Sequence, residues 1–443
     1  MTDLLAARSQ MGLSLAFHII FAVIGIGSPA MMVVAEYRWR RTGDPDFLDV
    51  AKRWARGTAI LFAVGAVSGT VLSFELGLLW PGFMRAAGPV IGMPFSLEGF
   101  AFFTEAIFLG VYLYGWNRVS PRAHLLAGVV VALSGALSGV FVVIANAWMN
   151  TPTGFVVTAA GRFVNIDPIA AMANPAAFSQ VLHMTLAAYA ATGLAVAGLH
   201  AALILRGRTA PFHRRALGVA LTVGVPAAIL QPLSGDVSAR FLARHEPTKL
   251  AAIEGLFITR SHAPLSIGGW PDVRVPTMRF AIQIPSGLSL LAYHDPNATV
   301  RGLDQVPRDE WPNVPAVHLA FQLMVALGTY MAAAALWVAW LALRRRDIAA
   351  QRVLLWMLAL GTPAGFLAIE AGWMTTELGR QPWIIYGVMR TADALTPMPG
   401  QAFRTAAFLL LYIFLAIVVV TLLSRQILGS PVTGQTAEWE RVP

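Results

Sequence analysis

The chain has 443 residues, of which 57% are hydrophobic and 12% charged, and its mean hydropathy is +0.64. Soluble domains are about 25% charged, so this composition excludes an ordinary soluble enzyme and indicates a protein that crosses a membrane several times. The formal charge of +9 does not indicate a nucleic-acid partner, because the basic residues lie in short loops between apolar runs. The absence of cysteine excludes disulfides, thiolate metal sites, iron–sulfur clusters and covalently attached c-type haem.

Nine apolar runs predict an all-α membrane protein, because a spanning helix needs about 20 mostly apolar residues. The first run is too long for a cleavable signal and has no small-residue cleavage site after it. The sixth run is the weakest, since Pro226 and Pro232 lie inside it. The predicted spans are 11–35, 57–80, 95–116, 124–148, 178–205, 216–234, 316–343, 352–375 and 403–425.

Lys and Arg residues collect in alternate short loops, as in RGRTAPFHRR (206–215) and RRRDIAAQR (344–352). The positive-inside rule then places the N-terminus outside and the C-terminus in the cytoplasm. The predicted organisation is helices 1–6 in residues 1–234, one long external loop in 235–315, and helices 7–9 with a short tail in 316–443. Frequent Trp, Phe and Ile residues predict that this loop is a folded lid.

Ionisable side chains inside spans cost about 2.5–3.5 kcal/mol each on insertion scales, so they are functional candidates that face the bundle interior. His18 in the first span either donates to a neighbouring helix or is an axial haem ligand. Glu98 and Glu105 are seven residues apart, which places them on one helix face about 10 Å apart. They are either interhelical hydrogen-bond partners or a proton relay or metal site.

His183 and Met324 lie near the starts of the fifth and seventh spans, on the same outer side. A His and a Met at equal depth could hold one haem iron, although Met324 by itself is more typical of core packing. His200, near the cytoplasmic end, is predicted to be structural.

Glu370 lies inside the eighth span, whereas Glu377 and Arg380 lie at its outer end and could form an ion pair. In the long loop, Lys249 and Glu254 are five residues apart and need not face each other on a helix. They are either surface charges or part of a polar pocket for a small ligand with hydroxyl or carbonyl groups.

The positions together resemble subunit I of the cytochrome bd-type quinol oxidases. The resemblance covers nearly the whole chain and is most specific in EAGW followed by GRQPW. The matching motifs are His18 in the first span, EGFAFFTE, LSGVFVVIANAWMNTP, KLAAIE, AIQIP, LMV and EAGWMTTELGRQPW.

The resemblance implies two haem b and one haem d, the last of which could instead be a b haem. His183 and Met324 would be the axial ligands of a low-spin haem b near the outer surface. His18, Glu98 and Glu370 would serve the high-spin pair, with the iron that each one serves left open. Arg380 and Trp383 would contact haem propionates or the rim of the quinol site.

The resemblance further implies that Lys249 and Glu254 bind ubiquinol or menaquinol in the loop, called the Q-loop in this family. Glu105, Ser138 and Asn146 would lie on a cytoplasmic proton or oxygen path, with Glu98 and Glu370 as further catalytic groups. Quinol would be oxidised outside and oxygen reduced to water with cytoplasmic protons, which generates a membrane potential without a pump. The expected setting is the bacterial cytoplasmic (inner) membrane and its lipid, with a second oxidase subunit and small single-helix accessory subunits as partners.

Two features depart from other family members. The loop is short, which is typical of the branch that includes oxidases called cyanide-insensitive. Gln322 occupies the position, two before Met324, where some relatives carry Arg, so a charge near the low-spin haem is missing.

The residues by themselves are also compatible with two other classes of protein. One is a haem b electron-transfer protein without oxygen chemistry, such as a dehydrogenase anchor, which oxygen uptake with quinol as sole donor would distinguish. The other is a transporter that couples protons through buried Glu and His residues, which would lack Soret absorbance. The absence of a recognisable internal repeat argues against the transporter.

Overall fold

The computed structural model describes residues 3–159, 161–208, 210–395 and 401–428. Within those residues, nine helical segments are long and apolar enough to cross a membrane, which confirms the predicted number of spans. The helices are α1 (Asp3–Thr42), α2 (Pro45–Leu79), α3 (Pro81–Tyr114), α4 (Pro121–Asn150), α5 (Pro168–Met172), α6 (Ala177–Leu205), α7 (Pro211–His245), α8 (Pro247–Glu254), α9 (Gly287–Tyr293), α10 (Val314–Leu343), α11 (Arg352–Leu360), α12 (Ala364–Arg380), α13 (Thr391–Ala394) and α14 (Gln401–Leu428).

Proline marks the start of several long helices, because the first helical position needs no N–H donor and favours the φ angle of proline. The first residues of α2, α3, α4 and α7 are Pro45, Pro81, Pro121 and Pro211. The side chains of Asp44 and Ser120 accept hydrogen bonds from first-turn amides of α2 and α4, which stabilises those helix ends.

The sixth span differs from its prediction in length. α7 is one helix from Pro211 to His245, with Pro226 and Pro232 inside it, whereas the sequence predicted residues 216–234. Membrane helices tolerate internal proline because neighbouring helices and side chains satisfy the freed carbonyls. The long loop therefore begins at Glu246 rather than at residue 235.

The eighth span is two helices rather than the single predicted run 352–375. α11 ends at Leu360 and α12 begins at Ala364, directly after Pro363, which cannot donate the hydrogen bond that a continuous helix requires. α12 then continues to Arg380, so that Glu370 and Glu377 lie on one helix.

Small residues let the helices approach closely at the centre of the bundle. A Cβ added to Gly193 of α6 would lie 2.5 Å from the Cα of Gly224 of α7, so the two backbones are in direct contact, as is common in membrane bundles. α1 packs against α2, α4 and α6, while α6 and α10 each pack against both α7 and α12.

The connections contain short strands that the sequence analysis did not predict: β1 (Val156–Val157), β2 (Phe163–Val164), β3 (Arg260–Ser261), β4 (Leu265–Ile267), β5 (Trp270–Asp272), β6 (Thr277–Arg279), β7 (Ile282–Ile284), β8 (Thr299–Val300), β9 (Trp383–Ile385) and β10 (Met389–Arg390). They form the antiparallel pairs β1–β2, β3–β8, β4–β7, β5–β6 and β9–β10. In the long loop, α8 and α9 bury Leu250, Ile253 and Leu288 in a cluster shared with the start of α10. The loop is therefore folded, and it is anchored on the bundle.

Candidate functional site

His18 on α1 is oriented by a serine of α2. Its Nδ1 lies 2.9 Å from Ser68 Oγ, and the Ser68 hydroxyl itself donates to the carbonyl oxygen of Val64 at 3.0 Å. With the Ser68 hydroxyl donating to Val64, Nδ1 donates to Ser68 Oγ, and the lone pair of the ring is on Nε2. This is the tautomer in which a neutral histidine binds a metal through Nε2.

His183 on α6 is held in the same way by α7. Its Nδ1 lies 2.9 Å from Ser234 Oγ, while the Ser234 hydroxyl donates to the carbonyl oxygen of Gln231 at 2.8 Å. The lone pair is again on Nε2, which accepts from Gln231 Nε2 at 3.1 Å. Ser68 and Ser234 were missed by the sequence analysis, although polar residues within apolar spans were the available signal.

Met324 on α10 faces α12. A Cβ added to Gly372 would lie 3.0 Å from Met324 Sδ, so the glycine leaves room for the thioether. Because α6 and α10 both pack against α7 and α12, His183 and Met324 belong to one group of four helices. His183 thus faces α7 and Met324 faces α12, and both of these helices pack against α6 and α10.

Glu98 and Glu105 on α3 both face α4, as their spacing predicted. Ser138 Oγ donates to Glu98 Oε1 at 3.1 Å. Glu105 is 4% exposed, and its Oε1 has no hydrogen-bond partner among the described residues. A Cβ added to Gly135 of α4 would lie 3.2 Å from that oxygen. An unpartnered buried carboxylate oxygen is costly, so this position requires a proton, a water or a ligand.

The two carboxylates of α12 have different surroundings. Glu370 Oε1 is buried with no hydrogen-bond partner among the described residues. Glu377 forms the predicted ion pair with Arg380 and also accepts a hydrogen bond from Asn146 Nδ2. Glu370 is therefore free to bind an added group, whereas Glu377 is already engaged.

Arg380 is 2% exposed, yet its Nε and Nη1 have no hydrogen-bond partner within the described part of the chain. A buried guanidinium with two unused donors fits a planar anionic group such as a carboxylate. Trp383 is partly buried and has the Arg390 guanidinium 5.2 Å above its ring. Trp383 is thus engaged by a cation from β10, and Arg380 is the stronger candidate for an anion.

Lys249 and Glu254 are both buried in α8 but point to different partners, so neither is a surface charge. Lys249 Nζ donates to Asn150 Oδ1 at 2.6 Å, whereas Glu254 Oε2 accepts from the Ser266 amide at 3.4 Å. Burial raises the pKa of the Glu254 carboxyl to about 7, against a smaller lowering by the Ser266 amide. Burial lowers the pKa of the Lys249 ammonium.

Gln322 has a role that the sequence did not reveal. Its Nε2 donates to the Ser266 carbonyl at 2.9 Å, and its Oε1 accepts from the Gly268 amide at 3.0 Å. One turn earlier on α10, His318 is fully buried with its ring nitrogens 2.6 and 3.1 Å from the carbonyl oxygens of Ile253 and Gly268. Gln322 and His318 therefore clamp the long loop onto the helix that carries Met324.

Other buried polar groups inside the spans were also missed. Glu75 on α2 is 1% exposed and accepts from Gln10 Nε2 and Ser14 Oγ, each at 2.9 Å. Glu36 on α1 is paired with Arg40 and lies 3.0 Å from His124 Nδ1. Glu75 and Glu36 could each have been found from the sequence, because each is a carboxylate within an apolar run. His200 pairs with His213, their Nδ1 atoms 3.1 Å apart, in agreement with a structural role.

These donors fit haem better than a bare metal ion. The described residues contain no cluster of three His, Asp or Glu side chains that could hold a metal by themselves, so an iron would need a macrocycle to complete its coordination. His18 presents an Nε2 lone pair, whereas Nε2 of His183 accepts from Gln231, which an iron would have to displace. Gly69 and Gly235 lie beside the two rings. Arg380 and Trp373 have donors without a hydrogen-bond partner among the described residues, and such donors fit propionate groups.

The fold and the site together define a polytopic membrane protein with His, Met and Glu side chains inside its helical bundle. The family model for cytochrome bd terminal oxidase subunit I matches residues 6–431, and the chain belongs to this family. It is similar to the solved bd oxidase from Geobacillus thermodenitrificans, with 40% identity, a TM-score of 0.91, and coverage of 97% of this chain and 99% of that chain.

Two curated Bacillus subtilis (strain 168) proteins are also similar over most of their lengths. One, provisionally named cytochrome bd menaquinol oxidase subunit I, is 38% identical over 431 residues, covering 96% of each chain. The other, named cytochrome bd ubiquinol oxidase subunit 1, is 32% identical over 442 residues, covering 96% of this chain and 94% of the relative. The chain is thus related to oxidase subunits named for two different quinols.

Proposed function

We propose that this chain is the haem-bearing subunit of a quinol:dioxygen oxidoreductase of the bacterial cytoplasmic membrane. Two quinols would be oxidised to two quinones for each dioxygen reduced to two waters. The N-terminus and the long loop would lie outside, and the C-terminus in the cytoplasm. Family membership supports a terminal oxidase and argues against the transporter and the dehydrogenase anchor.

His183 and Met324 would hold a low-spin haem b, and His18, Glu98 and Glu370 would serve a high-spin pair composed of one haem b with one haem d or a second haem b. Bound there, haem supplies one-electron transfer and oxygen reduction. The serine contacts of His18 and His183 support this assignment, because such partners fix the tautomer and ring orientation of a ligating histidine.

Glu254 would accept a hydroxyl proton from quinol at the outer face. The observation that carries this proposal is a short hydrogen-bonded link between Glu254 and the turn of α10 that bears Met324. Glu254 accepts from the Ser266 amide, and the Ser266 carbonyl accepts from Gln322, two residues before Met324. A base with a pKa near the working pH is well suited to proton transfer.

Protons for water would come from the cytoplasm along α3 and α4. Ser138 and Glu98 are hydrogen-bonded, Glu105 lies about two turns away on the same face of α3, and Asn146 lies further along α4 towards the outer end. Release of quinol protons outside and uptake of cytoplasmic protons would build a membrane potential without a pump.

The complete oxidase would contain a second subunit, surrounding membrane lipid and small single-helix accessory peptides, with ubiquinol or menaquinol as the reductant. Membranes that contain the assembled oxidase, given quinol as sole donor, should consume one oxygen for every two quinols and show haem Soret absorbance. Quinol oxidation without oxygen uptake would contradict the proposal, and so would a purified complex without a Soret band. The reduced-minus-oxidised spectrum with pyridine haemochrome analysis would identify the third haem.

Glu370→Gln should reduce the high-spin haem signals while leaving the low-spin haem b intact, because Glu370 Oε1 on α12 has no hydrogen-bond partner among the described residues. Glu377→Gln is the matched comparison on the same helix, and there we expect smaller haem loss. The measurement is the haem content and optical spectrum of purified oxidase. If the high-spin haems are lost in the Glu377 variant and retained in the Glu370 variant, the proposed ligand is wrong and Glu377 takes its place.

A further inference from the structure

The Lys249 side chain points towards the helical bundle and away from Glu254. Its side chain is 4% exposed, and its Nζ donates to Asn150 Oδ1 at 2.6 Å and pairs with Glu246. Its methylene stem crosses α12 at Gly379, where an added Cβ would lie 2.8 Å from Lys249 Cγ. The ammonium is therefore engaged by the ends of α4 and α8, and the side chain acts on the position of α8.

Asn150 continues the contact into the bundle with a fixed orientation. Because its Oδ1 faces the Lys249 ammonium, its Nδ2 faces Asn146, at 3.0 Å from the carbonyl oxygen and 3.2 Å from Oδ1. Asn146 Nδ2 in turn donates to Glu377, which is paired with Arg380. Each amide accepts on one side and donates on the other, as expected of a satisfied buried polar network.

Two ion pairs thus lie at the ends of this network, and its formal charges cancel. Glu246 is 1% exposed and is the nearest anion to Lys249. Burial lowers the pKa of Lys249, Arg380 lowers it further, and Glu246 opposes both with a smaller contribution from Glu377. The charge on Lys249 therefore depends chiefly on Glu246.

We infer that Glu246 is a positioning residue for quinol oxidation: by keeping Lys249 charged, it maintains the contact of the ammonium with Asn150, which docks α8 on α4 and α12 and so holds the Glu254 carboxylate in place. The inference rests on the proposed quinol site at Glu254. When pH rises through the pKa of Lys249, the ammonium loses a proton, its charge-assisted contact with Asn150 weakens, and quinol oxidation falls. Without Glu246 that pKa is lower, so the fall begins at lower pH.

Glu246→Gln should therefore shift the alkaline limb of the pH profile of quinol oxidation downward by about one pH unit or more, the usual effect of an opposite charge in contact. The assay uses membranes with the complete oxidase. Turnover at the acidic end of the profile and the haem spectrum should match those of the parent protein. Glu310→Gln is the control, since it removes a half-exposed carboxylate of the same loop that pairs with Arg390. A parent-like profile for E246Q would overturn the inference.

The double variant E246Q/N150D moves the carboxylate to the other side of the same ammonium. It should move the alkaline limb back towards that of the parent, because residue 150 already contacts Lys249 Nζ, although the donation from Asn150 Nδ2 to Asn146 is lost. It also keeps the formal charge of the network unchanged, so it remains informative if E246Q alone fails to assemble. A double variant that assembles but retains the shifted limb contradicts the inference. A wrong proposed function would give a different result, because the parent membranes would then show no quinol-dependent oxygen uptake.

Discussion

Replacing His183 by Ala is expected to remove the low-spin haem b signal and to abolish quinol oxidation. The Nε2 lone pair of His183 is set by the contact of its Nδ1 with Ser234, and alanine offers no nitrogen to an iron. The measurement is the reduced-minus-oxidised spectrum together with the quinol oxidation rate of purified oxidase.

His200→Ala is the matched control for His183→Ala, because it removes a buried histidine from the same helix α6 whose partner is His213. The haem spectrum of the control should be unchanged. A normal low-spin haem signal in the His183 variant would show that the ligand has been assigned to the wrong residue, whatever the effect on turnover.

Glu254→Gln is expected to lower quinol oxidation by about 10²–10⁴-fold, the usual contribution of a general base, with all haems retained. The glutamine preserves the size of the side chain but cannot accept the hydroxyl proton. In the unaltered oxidase, the rate should fall as pH drops below about 7, because the pKa of Glu254 is about 7 and the protonated carboxyl cannot act as a base.

Asp309→Asn is the control for Glu254→Gln, since Asp309 is a largely exposed carboxylate of the same loop paired with Arg390. Its variant should oxidise quinol at the parent rate. Unchanged turnover in the Glu254 variant would exclude this residue as the base and would require another group to take the proton.

The site residues that sequence analysis found are conspicuous in the sequence. Each is either a polar residue inside an apolar run or part of a highly specific motif. His18, His183, Glu98, Glu105 and Glu370 all stand out in this way. Serines are less conspicuous, because a serine costs little in a membrane span and can satisfy its hydroxyl on its own helix. Ser68 and Ser234 do this, and only the folded bundle shows that each also accepts from a histidine.

Loop residues were harder to interpret from sequence than residues in the spans. Glu246 looks like an ordinary polar residue of the loop, and Gln322, the loop's partner on α10, stood out only because some relatives carry Arg there. The structure buries Glu246 against Lys249 and uses both amide atoms of Gln322 to hold the loop. The Gln322 contacts join positions more than 50 residues apart, so no local pattern predicts them. Glu246 and Lys249 are only three residues apart, but their spacing alone does not show that the pair is buried against α4.

The sequence by itself determined the number of membrane spans, the class of protein and the family, because apolar length and specific motifs are local properties of the chain. Tertiary structure decided which partner each buried polar group has. It separated Glu370, with an unpartnered oxygen, from Glu377, which is held by Arg380 and Asn146, and it turned Lys249 towards Asn150 and away from Glu254. The physical reason is that a buried charge or amide must be satisfied by whichever helix packs against it, and that choice depends on the packing of the whole bundle.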